Sequence, residues 1–350
     1  MSHTPLTVIC PGHRLSPRFS GILESALAGT EAELLKEISA PLHNRRILFA
    51  VSLDDAGQNE GLYRLLGQLR REKNLLTGSA AGILVDGGDL DTKSTARELA
   101  LSVNQSDCTL IGRPLVEGTS DLRNFTVQAK NAGCGLEDAY RRAAADLVRR
   151  IGDFAPPKHR RPRVTVLHAS SHRTSNTMAL WMRIRPQLED CCDITEIGLR
   201  NGTMEDCAGC PYTMCLHFGE KGECFYGGVM VREVYPAVRD ADAVVLLCPN
   251  YNDALSANLT AAINRLTALY RTTPFTDKAV YAIVVSGYSG GDIVASQVVS
   301  AMCMNKGFYL PAGACFMETA NTAGEALSLP DIETRLTDFS TQLRRQLCDL

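Results

Sequence analysis

Short apolar runs alternate along this chain with apolar residues spaced at helical intervals. The clearest example spans Asp242 to Asn264. Ala243-Val244-Val245-Leu246-Leu247 is branched and charge-free, the pattern of a strand buried on both faces. Leu255, Leu259, Ile263 and Leu266 then recur on one helical face. Between the two, Pro249 opens a polar turn, because it has no N–H to give to a sheet. The same alternation predicts further strands near residues 6–10, 47–51, 82–86, 164–167, 191–197, 279–285 and 308–317. It predicts helices near 19–27, 31–38, 136–151, 229–238 and 332–347.

The pattern repeats at long range. Ile47-Leu48-Phe49-Ala50-Val51 matches Val244 to Cys248, and Leu62, Leu66 and Leu69 match Leu259, Ile263 and Leu266, at an offset of 197 (244 minus 47). Gly82 to Gly87 matches Ala282 to Gly287 at an offset of 200 (282 minus 82), and Gly112 and Glu117 match Gly313 and Glu318 at 201 (313 minus 112). Matching strand–loop–helix units in the same order predict an internal duplication. Strands alternating with helices predict an α/β protein made of two flavodoxin-like doubly wound parallel sheets, with strand order 2-1-3-4-5. No strand is apparent between the helices near 19–27 and 31–38, so the first copy is expected to be reduced and degenerate. The expected domains are residues 1–154 and 164–350. The joining segment 155–163 contains Pro156-Pro157, which cannot continue a helix. Its basic residues read as a solvated connector.

Composition narrows the class. The chain has 350 residues, 45% hydrophobic and 21% charged, which suits two ordinary globular cores. A net charge of −3 gives no general attraction to nucleic acid or anionic membranes. No apolar stretch reaches membrane-spanning length, and the first residues lack a basic-then-apolar signal pattern, so a cytoplasmic location is expected. Thirteen cysteines then read as thiols rather than as a disulfide framework.

Candidate chemistry gathers in the second half, in loops at the carboxyl ends of strands, where open α/β sheets bind ligands. After the strand at 164–167 comes His168-Ala169-Ser170-Ser171-His172-Arg173-Thr174-Ser175-Asn176-Thr177, where hydroxyls, an amide and a cation precede a helix. That composition suits a phosphate group. The turn Pro249-Asn250-Tyr251-Asn252 and the glycine-rich loop Ser286-Gly287-Tyr288-Ser289-Gly290-Gly291 follow two further buried strands. Glycines there let backbone N–H groups approach a flat ligand. A phosphate site with two ring-edge loops fits flavin mononucleotide (FMN). In the first half the corresponding loop carries Asp89 and Asp91, which repel phosphate, so that half is expected to be a structural copy without a ligand. Cys207, Cys210, Cys215 and Cys224 form the densest thiol group, able to serve an iron–sulfur cluster or zinc. Cys191, Cys192, Cys248, Cys303 and Cys315 read as core packing.

Residues 163 to about 320 resemble the NADPH-dependent FMN reductase family, and especially its iron–sulfur flavoprotein branch. The resemblance rests on Ala169 to Thr177, on Pro249, Tyr251, Ser256, Ala257 and Leu259, and on Ser286 to Gly291. It implies that Ser170, His172, Arg173, Ser175, Asn176 and Thr177 hold the phosphate. It implies that Pro249, Asn250, Tyr251, Asn252, Ser286, Gly287, Tyr288, Gly290 and Gly291 border the flavin ring. It also implies a 4Fe–4S cluster on Cys207, Cys210, Cys215 and Cys224. The activity implied is electron transfer from NAD(P)H through FMN to a small-molecule or protein acceptor. Relatives that pair two subunits imply either a homo-oligomer or, in this duplicated chain, an intrachain pseudo-dimer. The competing expectations are an FMN and iron–sulfur electron carrier with no substrate of its own, and a zinc-stabilised interaction protein lacking flavin.

Overall fold

The computed structural model describes residues 5–12, 15–170 and 173–349. The chain divides into two compact units, Met1–Ala155 and Pro156–Leu350.

The first unit runs β1 (Leu6–Ile9), α1 (Pro17–Leu27), β2 (Ala32–Leu35), β3 (Arg46–Ser52), α2 (Glu60–Arg71), β4 (Ser79–Asp86), α3 (Thr92–Gln105), β5 (Cys108–Gly118), α4 (Thr126–Ala132) and α5 (Leu136–Asp153). All strand pairs are parallel, in the order β2-β1-β3-β4-β5. Every residue of β4 is buried, as a charge-poor central strand should be. Helices α1 and α5 bury Phe19, Ile22, Tyr140 and Leu147 in one cluster with Leu48 and Leu84.

The expected loss of the second strand is corrected. Residues 32–35 form an edge strand, paired from Leu6↔Ala32 to Ile9↔Leu35, where the sequence suggested helix. Ala, Glu and Leu, which make up this stretch, are good helix formers. The unpaired side of β1 outweighs that local preference. The strand is short and half exposed, so it leaves little trace in the hydrophobic pattern.

The second unit repeats the plan with β6 (Arg163–His168), α6 (Asn176–Ile184), β7 (Asp193–Gly198), α7 (Tyr212–Gly219), α8 (Tyr235–Asp240), β8 (Ala243–Pro249), α9 (Ala257–Tyr270), β9 (Ala279–Ser286), α10 (Gly291–Val298), β10 (Cys315–Thr319) and α11 (Ile332–Leu347). Its sheet order is β10-β9-β8-β6-β7, again parallel throughout and again 2-1-3-4-5. Two like sheets in one chain agree with the duplication. Two details differ from the sequence reading. The last strand begins at Cys315 rather than near 308, with Tyr309 making only an isolated bridge to Ala279. The helix expected near 229–238 opens as a π-turn over Met230–Val234, just before Pro236, whose missing N–H breaks the regular ladder.

The carboxyl edge of the first sheet is closed by its own side chains. Arg18, on the first turn of α1, donates Nε to Asp86 Oδ2 at 3.0 Å and Nη2 to the Gly87 carbonyl at 3.1 Å. Its Nη1 reaches the carbonyls of Thr119 and Ser120 at 3.0 and 3.1 Å. The Asp86 side chain is only 3% exposed. Removing one partner of a buried pair strands the other charge, whereas replacing both by apolar groups is tolerated. Arg18→Met should therefore destabilise the first unit by about 3 kcal/mol or more, read as faster hydrogen exchange at the amides of β4 and β5. The double substitution R18M/D86L should recover most of that loss.

Candidate functional site

Because every strand of the second sheet is parallel, the loops after β6, β8, β9 and β10 leave from one edge. The switch in strand order lies between β6 and β8, the position at which such sheets open a crevice. A chain of side-chain amides joins the four loops.

At the start of α6, the Ser175 hydroxyl caps the helix by accepting from the Met178 N–H at 3.3 Å. The same hydroxyl lies 2.8 Å from Thr177 Oγ1, which is 3.3 Å from Ser170 Oγ. Three hydroxyls therefore cluster at a helix N-terminus, where backbone N–H groups and the helix dipole favour an anion. Arg173 is exposed beside them. His172 lies outside the described residues. Asn176 faces elsewhere. Its Nδ2 donates to the carbonyls of Ala320 and Thr322 at 3.3 and 2.9 Å. Its Oδ1 accepts from the N–H groups of Gly324 and Ala326 at 3.0 and 3.3 Å. The amide is used up in binding α6 to the loop after β10.

From that loop Asn321 donates Nδ2 to the Tyr288 hydroxyl at 2.9 Å, reaching the loop after β9. Asn250 then carries the connection to the loop after β8. Its Nδ2 contacts Ser289 O at 3.1 Å, Ser286 Oγ at 3.0 Å and Asp253 Oδ1 at 3.2 Å. Gly290 sits inside this junction at φ +81°, and a Cβ on it would lie 2.1 Å from Asp253 Oδ1. Only glycine meets both demands. Asn252 and Asp253 are left-handed as well, with φ of 55° and 56°. They turn the chain so that Tyr251 N–H and C=O pair with Ala254. Tyr251 and Tyr288 are left 59% and 81% exposed on neighbouring loops. Gly287 lies between Ser286 and Tyr288, and Gly291 starts α10. Pro249 is the last residue of β8, and its carbonyl end is continued by Asn250 N–H donating to Val285 O at 2.9 Å.

The cysteine segment packs against α9. Asp206 Oδ1 accepts from the Cys207 N–H at 2.7 Å and from Asn264 Nδ2 at 3.1 Å, and these bonds hold its carboxyl below the usual range. Gly219 lets α7 press onto α9, since a Cβ there would meet the Ala268 carbonyl at 2.8 Å. Cys207, Cys210, Cys215 and Cys224 all line one cavity of about 230 Å³, walled by Phe218, Phe225 and Tyr226. Phe225 stands edge-on to both of the other rings. Arg265, 2% exposed, also lines it. Its Nη1 donates to Glu205 O at 3.3 Å and its Nη2 to Gly227 O at 2.6 Å, so one guanidinium grips the segment on both sides of its cysteines. Its Nε is buried without a hydrogen-bond partner. Burial lowers the pKa of nearby Lys306, and the Cys207 thiol acts against that shift. Cations around thiols favour the thiolate form that binds metal.

The sequence reading missed Asn321, Asn258 and Arg265. Asn258 ties α9 to the loop after β7 through Leu199 O at 2.7 Å. Arg265 was detectable in principle, as a charge between Ile263 and Leu266 in an apolar stretch.

Residues 162–322 match the family described as NADPH-dependent FMN reductase. No curated protein matches the chain. Among solved structures, it is similar to an NAD(P)H:quinone oxidoreductase from Methanothermobacter marburgensis, at 16% identity and TM-score 0.41, over 53% of this chain and 98% of that one. It is also similar to an azoreductase from Bacillus anthracis, at 14% identity and TM-score 0.37, over 53% of this chain and 99% of that one. The family match spans the sheet of the second unit and the loops after β6, β8 and β9. Over residues 162–322 the carboxy-terminal unit of this chain is therefore similar to the NADPH-dependent FMN reductase family.

Proposed function

We propose that the second unit binds FMN over the ends of β6, β8 and β9, and that the protein takes a hydride from NAD(P)H and passes electrons to a small acceptor such as a quinone or flavin, or to a protein. The observation that carries this reading is the amide-knit rim: a hydroxyl cluster at a helix N-terminus on one side, two exposed tyrosines on the other. The site also fits the cofactor in its unspent polar groups. Asn250 Oδ1 and Ser256 Oγ are buried on this rim without partners, a costly state unless a ligand supplies them. FMN supplies the hydride acceptance and electron release. The chain's residues bind and orient. Ser170, Ser175, Thr177 and the first N–H groups of α6 would hold the phosphate, with Arg173 adding charge. Tyr251 and Tyr288 would cover ring surface, and Asn250 would present its free oxygen to the ring edge.

The cysteine pocket fits a 4Fe–4S cluster better than zinc. Four thiolates on one zinc, at Zn–S of about 2.3 Å, would stand roughly 3.8 Å apart. Among the described residues no three of these four sulfurs lie within 4.8 Å of one another. A cluster of several irons spreads its ligands more widely. Arg265, through its unpartnered Nε, would offer a buried positive charge to such an anionic group.

Protein purified without oxygen should carry one FMN per chain, with flavin bands and a broad brown shoulder from stoichiometric iron and sulfide. Two flavins per chain would remove the view of the first unit as a ligand-free copy, and no flavin at saturating FMN would remove the proposal. Gly290→Ala should weaken FMN binding about tenfold or more, or about 1.4 kcal/mol, with the circular dichroism of the fold unchanged. Arg265→Met should lower iron content while flavin content holds.

A further inference from the structure

A second group of thiols lies away from both the flavin rim and the cysteine pocket. Cys191 and Cys192 stand just before β7, and Cys348 follows α11. The sequence reading took the first two as packing. The fold brings the three sulfurs within 4.8 Å of one another, with Cys191 Sγ and Cys192 Sγ 3.6 Å apart. Two backbone bonds hold Cys348 in place. One runs from the His159 N–H to Leu347 O, the other from the Asp349 N–H to His159 O, both at 2.9 Å.

We propose that Cys191, Cys192 and Cys348 form a three-coordinate site for a soft, thiophilic ion of the copper(I) type. Three sulfurs on one ion at about 2.3 Å would be roughly 4.0 Å apart in a trigonal plane, close to the spacing already present. Soft thiolate donors select copper(I), zinc or iron–sulfur clusters. Zinc would need a fourth donor; the neighbouring carboxylate, Asp190, accepts a hydrogen bond from the Cys191 thiol but has both its oxygens held by Arg344, at 2.5 and 2.8 Å. The imidazole of His159 is directed to Asp242, at 3.5 Å. Cys192 and Cys348 are 2% and 1% exposed, which would shield a bound ion from water and oxidants.

Binding would replace the three S–H bonds by metal–sulfur bonds and release the protons to solvent, with no change of oxidation state. Arg161 and Arg344 interact with these sulfurs electrostatically, while each is also paired to a carboxylate, Asp193 and Asp190. Because the ligands must be deprotonated, protons compete with the ion and affinity should fall as pH falls. The ion would fasten the edge strand β7 to the end of α11.

The test uses the full chain with C207S, C210S, C215S and C224S, reduced and oxygen-free, titrated with chelator-buffered copper(I). One ion per chain is expected, with X-ray absorption showing three sulfur neighbours. C192S and C348S should each weaken uptake by more than the roughly 10–100-fold that loss of a supporting residue costs, while C303S leaves it unchanged. Absence of stoichiometric uptake, a site with fewer than three sulfurs, equal loss in C303S, or a disulfide that persists under reduction would each overturn the proposal. A failure of the flavin proposal would leave this result untouched, because no flavin is measured.

Discussion

A parallel sheet delivers its loops to one edge but does nothing to hold them in register with each other, and in this protein side-chain amides supply that hold. Asn176, Asn321 and Asn250 each donate across a gap between loops, and together they run from α6 to the turn after β8. An amide is well suited to this work, since it gives and accepts at once and carries no charge to desolvate. Residues placed in a binding role by their type turn out to be divided between two tasks. The amide of Asn176 is committed wholly to the frame, while Asn250 gives the frame its N–H groups and keeps its oxygen unpaired.

The two units show what the same sheet becomes under different side chains. In the first, a guanidinium spans from α1 to the ends of β4 and β5 and occupies the edge. In the second, a neutral amide at nearly the same helical position reaches the loop after β10 and leaves the hydroxyls beside it clear. The strand order is shared. What differs is the group that ties the loops together, a charged guanidinium in one and neutral amides in the other.

Much of this was legible in the sequence, for physical reasons. Central strands such as β4, β8 and β9 are buried on both faces, so they read as unbroken apolar runs. Their loops followed from topology. The edge strand β2 was not legible, because half its residues face solvent and its composition favours helix. The start of β10 was placed too early, since Phe308, Tyr309 and Leu310 are buried by packing rather than by a continuous ladder. Asn250 and Asn176 were singled out as candidates, but their partners across the loops lie 36 to 150 positions away in the chain. Nothing local in the sequence reveals such reach. The trio of Cys191, Cys192 and Cys348 was hidden for the same reason.

Asn252 and Asp253 stand side by side in the left-handed region, a conformation that side chains with a Cβ enter only at some energetic expense. Asparagine and aspartate are the types that tolerate it best, and here Gln297 braces the turn by donating to the Asp253 carbonyl and accepting from the Leu255 N–H. The strain is thus met during folding, long before a guest molecule is encountered. A molecule bound at this corner would meet a turn already braced by its own chain, and little of its grip would be lost to freezing the host.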